Sequence, residues 1–402
     1  MSKKFAIVGG GAAGFFAAIN HAALFPENQV AILEKGNQFL AKVKISGGGR
    51  CNVTHACFDP QELIHFYPRG SQELLGPFHH FNCSDTAEWF QSHGVELKTE
   101  EDGRMFPVTD SSQTIIDCLV NEATTNRVEL CLQTGVLEIE KKENTWNLIT
   151  SAGPREFDKL VIATGGSPLV WEMLKMKGHT IIDPVPSLFT FIIKHPVISG
   201  LPGISLTHAT IRIKNTSVEA EGPLLITHVG LSGPAVLKLS AFGAFEFNKV
   251  DYKAILELDF SGNGKEYVAG VIKETKEAWG SKKIKNTALF NIPHRLWQSV
   301  LDYSEIAEKN WADLSRKNIE SLINNIACLE LTTSGKNTFK EEFVTAGGIS
   351  LAEVNMKTME SKLLPGLFFA GEVLNIDAVT GGFNFQAAWT TGFLASGGLK
   401  GN

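Results

Sequence analysis

The feature that most constrains this chain is Gly9-x-Gly11-x-x-Gly14, set directly after the apolar run Lys4 to Val8 and opening the Ala-rich stretch Ala12 to Leu24. Strand, glycine turn, helix and a second apolar run over Gln29 to Leu33 together predict a βαβ unit. In that context each glycine has a mechanical task. Gly9 permits the tight turn, Gly11 lets the backbone approach a pyrophosphate, and Gly14 lets the helix lie close on the sheet. The positive end of the helix then faces phosphate. Glu34 ends the second run, where a carboxylate accepts hydrogen bonds from ribose hydroxyls and disfavours a 2′-phosphate. The fingerprint and the acid do not by themselves separate NAD from FAD.

A chain of 402 residues exceeds what one hydrophobic core organises, so two or three domains are expected. With 43% hydrophobic and 20% charged residues the composition is that of a globular enzyme and excludes a disordered chain. The 37 basic and 43 acidic residues leave a charge of -6, and no basic run is dense enough to track a phosphate backbone. A small-molecule substrate is therefore expected, and no nucleic acid. Six cysteines without a CxxC pair argue against a disulfide scaffold or a zinc site and for a cytoplasmic location. The basic start and apolar stretch to Phe25 imitate a signal peptide, but Gly9, Gly10 and Gly11 weaken such a helix. No apolar run is long enough to predict a membrane span.

Beyond the βαβ unit, the cluster Ser46-Gly-Gly-Gly-Arg-Cys-Asn52 reads as a loop. Helical stretches are expected around Ser71 to His93 and Asp110 to Asn126, with a hairpin over Val95 to Val108 turning at Asp102-Gly103. Arg127 to Ile162 reads as a β meander leading to the strand Lys159 to Ile162 and the glycine turn Ala163-Thr-Gly-Gly166. The Pro- and Gly-rich β segments after residue 183, clearest at Ala209 to Lys214 and Lys253 to Asp259, predict a barrel or sandwich. Helical period over Lys265 to Trp279, Ile292 to Tyr303 and Trp311 to Ile326 predicts a small helical insert. Near the C-terminus an apolar strand ends at Gly371-Glu372, and Gly381-Gly382 opens another helix. Unpaired N–H groups at that helix start can meet the pyrimidine end of an isoalloxazine. There is no second GxGxxG, hence no sign of a dedicated nicotinamide module.

The succession GxGxxG, Glu34, Lys44-Ile-Ser-Gly-Gly-Gly-Arg-Cys-Asn52, Ile226-Thr-His-Val-Gly-Leu-Ser-Gly-Pro-Ala235, Val344-Thr-Ala-Gly-Gly-Ile349 and Gly371-Glu-Val-Leu through Gly381-Gly-Phe-Asn-Phe-Gln386 resembles the bacterial aminoacetone oxidase family of FAD-binding proteins. That family includes the bile-acid-inducible flavoprotein reductases. The resemblance spans almost the whole chain. It implies an α/β fold: a discontinuous FAD-binding Rossmann-like domain of the two-dinucleotide-binding-domain flavoprotein type, a β-rich middle domain and a helical insert. The corresponding segments are 1–185 and 346–402 for the FAD domain, 186–262 with 331–345 for the middle domain, and 263–330 for the insert. By position it implies that the Ala12 and Ala13 backbone holds the pyrophosphate, Glu34 with Lys35 the ribose, and Val136 the adenine edge. Ser46, Gly48, Arg50 and Cys51 would lie along the cofactor with Thr164 nearby, and Gly371, Glu372, Asp377, Gly382, Phe383 and Asn384 around the ribityl and flavin ring. Asn375 and Phe383 depart from the Asp and Tyr common in the family, and each departure removes a polar handle.

In flavin chemistry the protein positions and tunes the cofactor, and a separate acid or base is still often needed. His228, before a glycine-bounded helix start, is the candidate catalytic residue. Arg50 offers planar donors to phosphate or to reduced flavin. Cys51 and Cys57 raise a disulfide-reductase alternative, in which a thiolate beside flavin passes electrons. The sequence thus leads to an FAD-dependent oxidoreductase acting on a small organic substrate, with NAD(P)H as a candidate electron donor. A flavin-binding redox sensor and a one-domain NAD dehydrogenase stand as alternatives.

Overall fold

The computed structural model describes residues 2–337 and 344–397. Parts of three expected segments, Met1 within 1–185, 338–343 within 331–345 and 398–402 within 346–402, lie outside the described residues. The chain divides into two compact units, Met1–Val185 with Val344–Asn402, and Pro186–Phe343.

The first unit is organised by the strands Lys4–Val8 and Gln29–Leu33, each buried at every residue after its first. Strands covered on both faces are apolar throughout rather than alternating, as expected inside a parallel sheet. Five parallel strands run in the order Glu129–Cys131, Gln29–Leu33, Lys4–Val8, Lys159–Ile162, Leu367–Phe369. Short antiparallel strands, Glu360–Ser361 and Val354–Asn355, extend the far edge. Strand order reverses between Lys4–Val8 and Lys159–Ile162, and open α/β sheets bind ligands beyond the carboxyl ends of their strands at such a point. The helices Ala12–Leu24 and Phe383–Ala395 pack against each other, so the two ends of the chain share one layer.

Around this sheet stand the expected hairpin, Leu97–Thr99 with Arg104–Pro107, joined by Thr54–His55, and the meander Val136–Lys141, Trp146–Thr150, Gly153–Phe157. The helical stretch expected over Ser71 to His93 is two helices, Ser71–His80 and Cys83–Ser92. The break is chemical. The Asn82 side chain accepts from the Ser84 N–H at 2.8 Å while Asp85 accepts from the Asn82 N–H at 2.7 Å, which makes a reciprocal cap and starts a new helix. The glycine cluster is preceded by helix, over Ala41–Gly49, but Ser46, Gly47 and Gly48 have left helical dihedrals, so the cluster itself turns as a loop does.

The second unit is a closed six-stranded antiparallel barrel, Thr190–Ile193, Gly230–Ser232, Glu219–Ile226, Ser205–Ile213, Ile255–Asp259 and Leu329–Asn337, the last pairing with the first. Closure removes the exposed edges of the sheet. The helices Lys265–Ala278, His294–Tyr303 and Arg316–Ala327 lie in the chain between the barrel strands Ile255–Asp259 and Leu329–Asn337, and they share the barrel's core. Val268, Leu296, Trp297 and Leu322 belong to the same hydrophobic cluster as the barrel residues Phe191, Ile211 and Leu258. An amphipathic face too small to make its own core is covered by the barrel instead.

Candidate functional site

At the switch point the turn after Lys4–Val8 touches the turn after Lys159–Ile162. A Cβ on Gly9 would stand 2.5 Å from Ala163 O and 2.9 Å from Thr164 Cα, and Gly9 has φ +109°. A Cβ on Gly14 would stand 2.0 Å from Gly9 O. The first contact brings the two turns together, and the second lays the helix on the turn and strand that precede it. Gly11 is different: a Cβ there meets nothing within 4 Å, so its side of the turn is open. Gly11 is the N-cap of the helix carrying Ala12 and Ala13; no side chain caps that helix, and its first turn has no acidic residue. Its leading N–H groups remain available to an anion.

Glu34 reaches back over this turn. Its Oε2 accepts from the Gly10 N–H at 2.8 Å and its Oε1 from the Gly36 N–H at 2.7 Å. A carboxylate has about four acceptor positions, so two remain for hydroxyl donors. The Thr134 N–H donates to Glu34 O at 2.7 Å, and a Cβ on Gly135 would lie 3.2 Å from Lys35 Cβ. The segment entering the strand at Val136 therefore runs along Glu34 and Lys35.

The glycine cluster follows. Ser46 donates its hydroxyl to Val43 O at 2.8 Å, and Gly48, with φ +68°, has an open side. Arg50 is held by Glu100 at 2.6 Å and Asp110 at 3.4 Å, with its guanidinium 4.0 Å above the Phe106 ring. Cys51 is fully buried, and burial pushes its thiol up to about 12. All six cysteines are free. A buried, protonated thiol is a poor electron relay, which weighs against the disulfide-reductase alternative.

From the far end of the chain, the Gly371 N–H donates to Thr391 Oγ1 at 2.9 Å. Glu372 accepts from Lys42 Nζ at 2.7 Å and from the Thr345 N–H at 2.9 Å. Asp377 is buried and paired in a two-point ion pair with Arg69. Asn384 closes its own turn, accepting from the Ala378 N–H at 2.9 Å and donating to Ala378 O at 3.0 Å. Phe383 is stacked on Phe66 at 4.1 Å and on His55 at 4.5 Å. Gly382, with φ +94°, is the N-cap; a Cβ there would stand 2.5 Å from Thr54 O, so only glycine lets the helix start meet this loop. This helix too has no side-chain cap and no acid in its first turn.

The structure thus brings together in one unit every sequence-predicted site residue except His228. That residue stands in the other unit, exposed in the turn between the strands Glu219–Ile226 and Gly230–Ser232. Sequence reasoning missed Lys42, Asn52, Thr54, His55, Arg69 and Gln386. Asn52 and Gln386 end motifs quoted above, and that was the available signal; the rest are recognisable only through their partners. Two uncapped helix starts, an open-sided glycine turn and a carboxylate with spare acceptor positions suit a group that carries a pyrophosphate, a ribose and a polar ring edge. Two of the buried side-chain atoms that lack a hydrogen-bond partner, Asn52 Oδ1 and Asn375 Oδ1, also lie in these loops.

A parallel sheet with its fingerprint at the switch point, and a second helix start supplied by the chain's far end, define a flavoprotein oxidoreductase of the FAD-binding Rossmann class. The chain belongs to the family described as HI0933-like protein Rossmann domain, whose model matches residues 3–398. It is 28% identical to the ribosomal RNA dihydrouridine synthase of Escherichia coli, over 97% of this chain and 96% of that protein. It is also 28% identical to the 3-dehydro-bile acid delta(4,6)-reductase of Clostridium scindens, over 98% of each. Its fold is similar to that of the 3-ketosteroid delta1-dehydrogenase from Sterolibacterium denitrificans in complex with 1,4-androstadiene-3,17-dione, with a TM-score of 0.51 at 12% identity over 99% of both chains. A quinol-fumarate reductase with menaquinol molecules gives the same TM-score at 15% identity, over all of this chain and 73% of that one. Among the described residues no helix is long and apolar enough to cross a membrane.

Proposed function

We propose that this protein is an FAD-dependent reductase that saturates a ring carbon–carbon double bond conjugated to a carbonyl, with NAD(P)H as the electron source. The observation that carries this reading is the uncapped, acid-free start of the helix Phe383–Ala395 behind Gly382, a place where negative charge on a ring edge is stabilised by N–H groups. The relatives narrow the chemistry. A dihydrouridine synthase and a delta(4,6)-reductase are both named for adding hydrogen across a double bond in a ring. In the overall reaction NAD(P)H is oxidised to NAD(P)+, and the double bond gains a hydride equivalent and a proton.

FAD, when bound, supplies the two-electron relay between donor and substrate. The N–H groups from Gly9 through Gly14, including those of Gly11, Ala12 and Ala13, are assigned to the pyrophosphate. Glu34 and Lys35 are assigned to the adenosine ribose, and the Val136 backbone to the adenine edge. Ser46, Gly48, Thr164, Gly371 and Glu372 are assigned to the ribityl path, and Gly382, Phe383 and Asn384 to the ring edge. Arg50, Cys51 and Asp377 are assigned to shaping the loops, because their polar groups are engaged or shielded within the protein. His228, an exposed imidazole, is the proposed proton donor.

The test is anaerobic. The holoprotein is titrated with NADH and NADPH while flavin absorbance is followed, then offered cyclic enones, and products are weighed. Flavin bleaching followed by a product two hydrogens heavier supports the reading, and His228→Gln then slows the second step alone. Bleaching by aminoacetone and not by nicotinamide overturns it in favour of the amine oxidation implied by the aminoacetone oxidase resemblance. A flavin that is reduced but reoxidised by no substrate favours the redox sensor. The likeness to the Escherichia coli protein supports a second reading, in which the ring is a uracil within ribosomal RNA. Loss of dihydrouridine from the ribosomal RNA of a deletion strain would select it.

A further inference from the structure

Asn52 ends the glycine cluster, and its Oδ1 is shielded from solvent with no hydrogen-bond partner. Buried acceptors are almost always paired, so an orphan beside a candidate binding site points to a donor supplied from outside the chain. Its position is well defined. Gly47, with φ +56°, folds the cluster back until a Cβ there would lie 3.0 Å from the Asn52 N, and Asn52 Oδ1 lies 2.9 Å from where a Cβ on Gly382 would stand. The carboxamide is therefore packed against the N-cap of the helix Phe383–Ala395.

A flavin pyrimidine edge presents oxygen, N3–H, oxygen: two acceptors flanking one donor. A helix start offers only N–H groups, which match the oxygens and leave N3–H without an acceptor. Three of the neighbouring carbonyls are already engaged. Gly381 O accepts from His55 Nδ1–H at 3.0 Å, Val53 O from Trp389 Nε1–H at 2.9 Å, and Phe383 O from the Tyr67 hydroxyl at 2.6 Å. Resting on the reading that the FAD ring lies at this helix start, we propose that Asn52 is a cofactor-recognition residue whose Oδ1 accepts the hydrogen of flavin N3.

The experiment uses full-length protein loaded with FAD labelled with 15N at N3, and reads binding rather than turnover. In the parent, the N3–H cross-peak is expected to persist, protected from exchange with water. Asn52→Leu, similar in volume but without an acceptor, is expected to lose that protection and to weaken FAD binding about 10-fold, the worth of one neutral hydrogen bond. Asn52→Asp keeps an acceptor and is expected to keep the protected peak. An Asn52→Leu protein that binds FAD stoichiometrically with an unchanged peak overturns the proposal and moves the acceptor to a backbone carbonyl such as Thr54 O. Should the Leu variant fail to fold, N3-methyl-FAD asks the same question of the parent. Affinity equal to that for FAD refutes the contact, and an affinity loss that Asn52→Asp shares supports it. A parent protein that takes up no flavin shows no visible absorbance, and that result sinks the cofactor reading itself.

Discussion

Thr54 donates its hydroxyl hydrogen to Gln386 Oε1 at 2.6 Å, both side chains buried and 332 positions apart in the chain. Thr86 donates to the same oxygen at 2.9 Å, and Gln386 Nε2 donates onward to Thr390 Oγ1 at 3.0 Å. One amide thus fixes the short strand Thr54–His55 and the helix Cys83–Ser92 to the C-terminal helix, and with them the spacing between the glycine cluster and Gly382. Removing the acceptor leaves two buried hydroxyls unpaired. Gln386→Leu is expected to lower stability by roughly 1–3 kcal/mol and Gln386→Glu by less, as measured by denaturant unfolding.

Gly14 within the helix and Gly11 at its N-cap separate packing from binding. Gly14→Ala puts a methyl group 2.0 Å from Gly9 O and is expected to destabilise the protein with or without FAD. Gly11→Ala meets nothing within 4 Å, so the melting temperature without FAD should be unchanged. Its methyl would enter the proposed pyrophosphate position, and a crowding cost of about 1–3 kcal/mol corresponds to roughly a 10- to 100-fold loss of FAD affinity. Equal melting losses in both variants would contradict this division.

Arg69 and Asp377 test how the loop leading to Gly381 and Gly382 is held. Asp377 is fully buried and the Arg69 side chain nearly so. Truncating one member of a buried pair typically costs about 3–5 kcal/mol, because the remaining charge loses its counter-charge. Asp377→Ala is expected in that range, and the double variant Arg69→Met, Asp377→Leu well below it; chemical denaturation of the three proteins reads the difference.

Thiol chemistry follows burial. Burial pushes Cys51 up to about 12 and Cys83 to about 11, whereas Cys57 is partly exposed. Iodoacetamide at pH 8, with sites mapped by mass spectrometry, should modify Cys57 in the native protein and spare Cys51 and Cys83. Rapid labelling of Cys51 would reopen the disulfide-reductase alternative.

A pH effect is expected from the edge of the sheet. Burial pushes the Glu353 carboxyl up, but hydrogen bonds from Thr180, through its side chain and through its N–H at 2.9 Å, and from His179 Nδ1 at 3.0 Å outweigh it and hold the group below the ordinary carboxylate value. A carboxyl whose pKa is lowered by folding stabilises the protein above its unfolded value of about 4.5, and that contribution is lost as pH falls through the folded value. Glu353→Gln should flatten this part of the stability profile between about pH 5 and pH 3.

Much of the framework is legible in the sequence, because strands, turns and helix starts depend on residues close together along the chain. The apolar runs Lys4–Val8 and Gln29–Leu33, the fingerprint between them, Glu34, the Asp102-Gly103 hairpin and the β segments of the barrel are all of this kind. The helices after residue 263 show the limit. Their amphipathic period marks an apolar face, but only the folded chain shows that the barrel core covers it. Within the site the same boundary holds. Glycine spacing announces where backbone must approach a ligand, since Cβ geometry is local. That Lys42 meets Glu372, Arg69 meets Asp377, Thr54 meets Gln386 and Asn52 lies against Gly382 was decided by tertiary structure alone. Side-chain charge and polarity state what each residue needs, but the partner is whichever distant element hydrophobic burial brings within reach.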